Sequence, residues 1–283
     1  MGAINISIVL YKTQKEKILK LIESCLGCSL MSRLYLVDNS PTNGLRELSK
    51  LDNRIIYIFT NKNLGYGRAH NIALQESLKQ KVKYHLVLNP DVYFRSQVLE
   101  NLYAFMEQHQ DVGLVMPKVR FPDSSVQYLC KLLPAPFDLI GRRFLNWGPF
   151  KEWVEKRNEI YELRFTGYNK VMNVPFLSGC FMFIRVSILE KTGLFDERFF
   201  LYCDDLDLSR RIHKISKTMF YPHCEVFHEW GRGSYKSLKM FFYHIKDVIR
   251  YFNKWGWFVD KERKEVNKKI LKTYLQKGTF NES

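Results

Sequence analysis

The sequence is poor in most of what marks a secreted, fibrous or membrane-spanning chain. Its six cysteines, at 25, 28, 130, 180, 203 and 224, are too few and too scattered over 283 residues for a disulfide scaffold. No run approaches the ~18 uninterrupted apolar residues of a spanning helix. The N-terminal apolar residues lack a basic lead-in and a small-residue cleavage site, so no signal peptide is expected. Ile6 stands where N-myristoylation needs Ser or Thr. The cysteines therefore read as reduced thiols of a cytoplasmic protein, and Cys25 and Cys28 as half-buried residues ending a helix, because zinc needs a second pair nearby. Acidic residues are also scarce. Lys and Arg number 44 against 29 Asp and Glu, a formal charge of +15. That excess favours polyanionic partners: nucleic acid, phosphorylated small molecules or an anionic membrane face.

Apolar residues make up 46% and charged residues 26%, which excludes a largely disordered chain. Apolar β-rich runs at 4–11, 34–37, 54–60, 84–88 and 112–119 alternate with helical patterns at 15–26, 68–79 and 96–108, the last capped by Ser96. This alternation predicts a mostly parallel sheet covered by helices on both faces, with ligands beyond the carboxyl ends of the strands. Residues 120–173 break the rhythm and read as irregular and substrate-facing. Short strands are expected at 219–221 and 225–228, and a helix after Asp204 with Leu208, Ile212 and Ile215 on one face. Segment 231–283 carries 13 Lys or Arg against 5 Asp or Glu, with Leu238, Phe241, Ile245, Val248, Ile249 and Phe252 at helical spacing. It reads either as a helix packed on the domain or as an interfacial helix on anionic lipid.

Four places carry chemistry. Asn89-Pro90-Asp91 follows a buried strand; it reads as a turn, or as a carboxylate for a divalent cation whose shell is completed by phosphate oxygens and water. Asp204-Asp205-Leu206-Asp207 puts three carboxylates in four residues. Asp204 as N-cap and Asp207 at N3 would make a capping arrangement, leaving Asp205 to face a cleft as a general base. The loop from Asn61 to Arg68 contains Gly65 and Gly67 and opens a helix, either as a plain turn or as a backbone cradle for phosphate. His228 closes an apolar strand ahead of two glycines, Arg232 and Lys236, a composition suited to a loop over a diphosphate.

The ordered blocks IVLYK, LVDNS, NKNLGYGRAHNIAL, LVLNPDV, FLSGCFMFIR, GLFDERFFLYCDDLDLSRRI and VFHEWGRGS span roughly residues 4–234. Together they resemble the inverting glycosyltransferases of family 2, especially the bacterial rhamnosyltransferase-like branch. The resemblance implies a GT-A-like, Rossmann-like α/β catalytic domain over 1–230. Its nucleotide-sugar part would be about 1–119 and its acceptor-facing part about 120–230, followed by a basic helical tail over 231–283. It implies an inverting transfer from a nucleoside-diphosphate sugar, with dTDP-rhamnose as the first guess. The acceptor would be a glycan, or a polyprenyl-diphosphate-linked glycan, in surface polysaccharide synthesis. The protein would be cytoplasmic, or peripheral on the inner membrane face. Carried over residue by residue, Asp205 would be the catalytic base beside Asp204. Asp91 would hold Mg²⁺ or Mn²⁺, with His228 as second ligand. Tyr11, Asp38, Asn63, Arg68, Asn89, Ser178, Gly179, Arg232 and Lys236 would line the donor site. Asn89 stands in place of the first Asp of the usual Asp-x-Asp, and Asp204 where Glu is frequent.

Competing readings are a basic nucleic-acid-binding protein, a nicotinamide oxidoreductase and a non-catalytic relative. The cations are not confined to one recognisable nucleic-acid module, so no nucleic-acid partner is expected. The dinucleotide glycine fingerprint is missing after the first strand. Asp205 and Asp91 are both in place, which speaks against lost activity.

Overall fold

The structure, a computed structural model, describes residues 2–141, 148–229 and 237–278. Strands β1 (Ile4–Leu10), β2 (Met31–Asp38), β3 (Ile55–Phe59) and β4 (Tyr84–Leu88) pair in parallel in the order β3-β2-β1-β4. Ile4, Ile6, Ile8 and Leu10 on one face of β1 and Asn5 and Ser7 on the other are fully buried, so helices cover this strand on both faces. Helices α1 (Lys15–Leu26), α2 (Gly67–Gln80) and α3 (Gln97–Gln108) follow their strands as the apolar periodicity predicts. Ser96 sits at the start of α3 but makes no side-chain capping bond. Cys25 and Cys28 are fully buried and act as small core apolar residues.

The sheet continues through β10 (Phe181–Arg185), β6 (Val112–Arg120), β11 (Lys217–His228) and β5 (Val92–Tyr93). It is mostly parallel, as the alternation predicts, with β10 inserted antiparallel to both β4 and β6. The chain re-enters the sheet after residues 120–173 at the carboxyl end of β4, where the Asn89 N–H donates to the Cys180 carbonyl at 3.0 Å. It can then only run back. That entry delivers Ser178-Gly179-Cys180 to the ligand-binding edge. The two short strands expected at 219–221 and 225–228 are one strand with an irregular register between Tyr221 and Glu225. Pro222 lies at that irregularity and has no N–H for the ladder.

Residues 120–173 hold the short β7 (Cys130–Lys131), the tight turn Phe137–Gly141, helix α4 (Lys151–Tyr161) and β8 (Met172–Asn173). β7 pairs with β9 (Phe176–Leu177) in a separate ribbon, and β8 pairs with β11. After α5 (Val186–Thr192), α6 (Asp204–His213) carries the acidic cluster. Its N-cap is Cys203, in the left-handed region at φ 64°, so Asp204 is already inside the first turn. Asp207 does not cap the helix. Its oxygens accept from Arg211 Nε at 2.8 Å, Trp255 Nε1 at 2.8 Å and Lys254 Nζ at 2.6 Å. Leu208 and Ile212 are buried, but Ile215 lies past the helix end and is exposed.

The tail helices α7 (Leu238–Trp255) and α8 (Lys261–Gly278) are bolted to this part of the molecule. Asp247 of α7 is fully buried, and its Oδ2 accepts from three successive backbone N–H groups, Phe200 (3.0 Å), Leu201 (3.0 Å) and Tyr202 (3.1 Å). Its Oδ1 accepts from Arg250 at 2.9 Å. Arg210 of α6, nearly fully buried, donates to Asp260 at 2.8 Å and Glu262 at 2.9 Å and lies 4.0 Å over the Trp255 ring. The sequence-predicted apolar face divides: Val248 and Phe252 are buried, whereas Leu238 and Ile249 face outward.

The Asp247 clamp makes a definite prediction. Asp247→Ala leaves three N–H groups without their acceptor and should cost about 3 kcal/mol. Differential scanning calorimetry should show Tm lowered by roughly 6–12 °C.

Candidate active site

A cavity of about 630 Å³ opens at the carboxyl edge of the sheet. Six of the sequence-predicted residues border it: Asn89, Ser178, Gly179, Asp204 and Asp205, with His228 from β11. Tyr11, Asp38, Asn63, Arg68 and Asp91 are not among its lining residues. Arg232 and Lys236 lie outside the described residues.

Asp205 is held by its own helix start and by the re-entering chain. Its Oδ2 accepts from the Gly179 N–H and its Oδ1 from the Leu206 N–H, both at 2.8 Å. A side chain at residue 179 would crowd this contact, because a Cβ there would lie 3.0 Å from the Asp205 Cβ. Tyr66, absent from the sequence-based candidates, donates its hydroxyl to the Gly179 carbonyl at 2.5 Å and so fixes the strap from the other side. Asp204 Oδ2 accepts from the Gly67 N–H at 2.9 Å and its Oδ1 from the Asp205 N–H at 3.0 Å. Burial raises the pKa of both carboxyls, and the like charge of Asp205 raises Asp204 further. Opposing this at Asp205 are its two backbone donors and the charge of Lys131, which also borders the cavity.

In the loop from Asn61 to Arg68 the amides of residues 65, 66 and 67 are taken by the protein itself, as in the plain-turn reading. Asn63 Oδ1 accepts from the Gly65 N–H at 3.0 Å, the Phe200 carbonyl from the Tyr66 N–H at 2.8 Å, and Asp204 from the Gly67 N–H. Gly65, at φ 88°, approaches so closely that a Cβ would lie 2.1 Å from the Phe200 oxygen. The glycines serve this docking rather than a ligand. Arg68 is half exposed and pairs with Glu197 at 3.2 Å. Asp38 has no exposed surface: its Oδ1 accepts from the Ser40 N–H at 2.9 Å and its Oδ2 from the Tyr57 hydroxyl at 2.6 Å. As placed, it props the ends of β2 and β3 and presents no oxygen to a ligand. Tyr11 and Asn63 are exposed nearby.

Asp91 and His228 meet across the end of the sheet, Oδ1 to Nε2, at 3.3 Å. The other imidazole nitrogen, Nδ1, lies 3.0 Å from Gln127 Oε1, an acceptor, so Nδ1 carries a proton. Gln127 Nε2 donates in turn to the His228 carbonyl at 2.7 Å. In the neutral ring this leaves the Nε2 lone pair facing Asp91. Burial disfavours imidazolium here, but Asp91 and Cys180 outweigh it and the pKa is pushed up to about 10. Once Nε2 gives up its proton, one carboxylate and one oriented imidazole fit a divalent cation that draws its remaining ligands from phosphate and water. Among the described residues no group of three or more His, Cys, Asp or Glu gathers in metal-binding fashion. Gln127 has no signal in the sequence, since it lies 101 residues from His228.

The sequence model of a family described as Glycosyl transferase family 2 matches residues 6–193. The N-acetylglucosaminyl-diphospho-decaprenol L-rhamnosyltransferase of Mycobacterium tuberculosis is 28% identical over 210 residues, 69% of this chain and 66% of that protein. The chain thus spans just under two thirds of that relative. Rhamnosyltransferase WbbL of Escherichia coli is 24% identical over 253 residues, covering 86% of this chain and 90% of the relative. Among solved structures, GalNAc-T7 with UDP, GalNAc and Mn²⁺ superposes with a TM-score of 0.59 at 14% identity, over 80% of this chain and 43% of that one. Staphylococcus aureus TarS does so at 0.59 and 16%, over 99% and 44%. The shared fold is GT-A-like.

Any turnover that needs Asp205 ionised is expected to fail as pH drops through its raised pKa, above the ~3.9 of an ordinary aspartate. The charge of Asp205 raises Asp204 rather than the reverse, so Asp204 is protonated where Asp205 titrates, and Asp204→Asn should leave the acid limb of the kcat/KM profile in place. A limb that moves to lower pH would show that Asp204 is charged there and repels Asp205.

Proposed function

The chain belongs to glycosyl transferase family 2, and on that premise we propose that it is an inverting transferase acting from a nucleoside-diphosphate sugar. The proposed donor sugar is rhamnose carried on dTDP. The proposed acceptor is a hydroxyl of a lipid-diphosphate-linked glycan in polysaccharide synthesis. The observation that carries the reading is the meeting of Asp205, Gly179, Asn89 and His228 around one cavity. The two rhamnosyltransferase relatives support the choice of sugar, and the decaprenol named for the mycobacterial one supports the choice of acceptor.

An acceptor hydroxyl is too weak an acid to attack unaided near neutral pH. Asp205, anchored by two backbone donors and raised in pKa by burial, takes its proton as the oxygen closes on the anomeric carbon. Such a base contributes ~10²–10⁴-fold. The new carbon–oxygen bond forms as the bond to the diphosphate breaks, so the anomeric centre inverts and no enzyme nucleophile is needed. Asp204 holds the Gly67 and Asp205 amides and sets where Asp205 points. What a divalent cation supplies, when held by Asp91 and His228, is neutralisation of the departing diphosphate. Gln127 holds His228 Nδ1 and so turns the ring to leave Nε2 as the atom that would ligate a cation. Tyr11 and Asn63, exposed after β1 and β3 at the carboxyl edge of the sheet, are the residues proposed to meet the nucleotide end of the donor.

Asp205→Asn is expected to abolish transfer while leaving donor affinity intact, and single-turnover kinetics beside donor titration would separate the two. Near-normal turnover refutes the assignment. Asp91→Ala should weaken donor binding at least tenfold in the presence of Mn²⁺ and change it little without; calorimetry with dTDP-rhamnose showing no difference would remove Asp91 from the metal site.

A further inference from the structure

Helix α7 has two apolar faces, and the domain covers only one. Asp247, Val248, Tyr251 and Phe252 point inward and are buried. Leu238, Phe242 and Ile249 point outward with exposures of 78%, 67% and 40%. At about 3.6 residues per turn these three fall within roughly 40° of one another. Exposed Lys239 and Lys246 run along one flank of the stripe. The turn after α7 adds Phe258 and Val259, 79% and 77% exposed. Phe150 and Trp153, each 49% exposed, open helix α4. The Trp153 ring lies against Phe137 at 4.7 Å, and the turn bearing Phe137 meets α7 where His244 Nε2 approaches the Leu139 carbonyl at 3.1 Å.

No described helix is long and apolar enough to cross a membrane. We propose that this outward face lies in the headgroup region of an anionic bilayer. Aromatic and branched aliphatic side chains beside lysines are what an interfacial helix presents: the first enter the acyl boundary and the second meet lipid phosphates. The net charge of +8 over residues 231–283, from 13 cations and 5 anions, complements such a surface. A second copy fits less well, because two-fold pairing of the stripe would bring its own lysine flanks together. The same helix supplies Met240 and His244 to the cavity wall. A lipid-tethered acceptor therefore reaches Asp205 along the helix that rests on its membrane. This delivery rests on the transfer reaction proposed above; the lipid contact does not.

The test is co-sedimentation of the full chain with phosphatidylcholine vesicles, with and without phosphatidylglycerol. The wild type is expected to pellet with the anionic vesicles only, and less at high salt. The triple variant Leu238→Ser, Phe242→Ser, Ile249→Ser should lose about tenfold or more in partition, and Lys239→Gln with Lys246→Gln a comparable amount. Both variants should keep the wild-type Tm and their transfer to a water-soluble acceptor. Vesicle binding without any sugar transfer would support the lipid contact and overturn only the reaction. Wild-type partition by the triple variant would overturn the proposal. So would a wild type that ignores anionic vesicles but sediments as a dimer that the triple variant dissolves.

Discussion

The active edge of this molecule hangs on one carboxylate that does no chemistry. Asp247 gathers the amides of Phe200, Leu201 and Tyr202, the residues that lead into the left-handed Cys203 and the Asp204-Asp205 pair. A chain entering a helix leaves its amides unsatisfied, and a buried amide without an acceptor is costly. Here the acceptor comes from the tail helix, so the tail is a structural member of the site. The carbonyl of Phe200, in the same turn, receives the Tyr66 amide and thereby locks the loop that carries Tyr66 and Gly67. Through these bonds one side chain sets the position of α6, the 61–68 loop and the Gly179 strap together.

Much of this was legible from apolar periodicity. The alternation of strand and helix through residue 120 needs only local patterning, and α1 and β4 lie where the pattern puts them. The reversal of β10 was not legible, because strand direction depends on how a distant segment returns to the sheet. The two readings of Gly65 and Gly67 stayed open for the same reason: glycine says that something approaches closely, but not whether it is phosphate or the Phe200 carbonyl. Gln127 could not be found from the sequence at all. Asp247 could have been. It is an acid in a strongly basic helix, one residue before the buried Val248 and four before the buried Tyr251, and an acid on an inward face needs a partner.

The paired carboxylates show how a packed site still yields a base. Each of Asp204 and Asp205 accepts two amides, which favours the ionised form, while burial favours the neutral one. The balance leaves both raised. Their exposure differs: Asp204 is buried against the 61–68 loop, while Asp205 retains exposed surface at the cavity. Two adjacent aspartates thus divide the work, one organising the loop and the other free to receive a proton.

Helix starts and glycine loops ordinarily offer their amides to anions. Here the amides of residues 65, 66 and 67 go to Asn63, Phe200 and Asp204, those of 200–202 go to Asp247, and those of 179, 205 and 206 go to Asp204 and Asp205. The protein's own carbonyl and carboxylate oxygens occupy the places a diphosphate would take. A pyrophosphate drawn to this edge must therefore be met by positive charge carried on side chains or on a bound cation. Lys131 and Arg164 border the cavity, and Asp91 with the oriented His228 offers a divalent ion one oxygen and one nitrogen. On the proposed reaction, the use of backbone donors to position the carboxylates would leave the departing diphosphate to be neutralised by such charges.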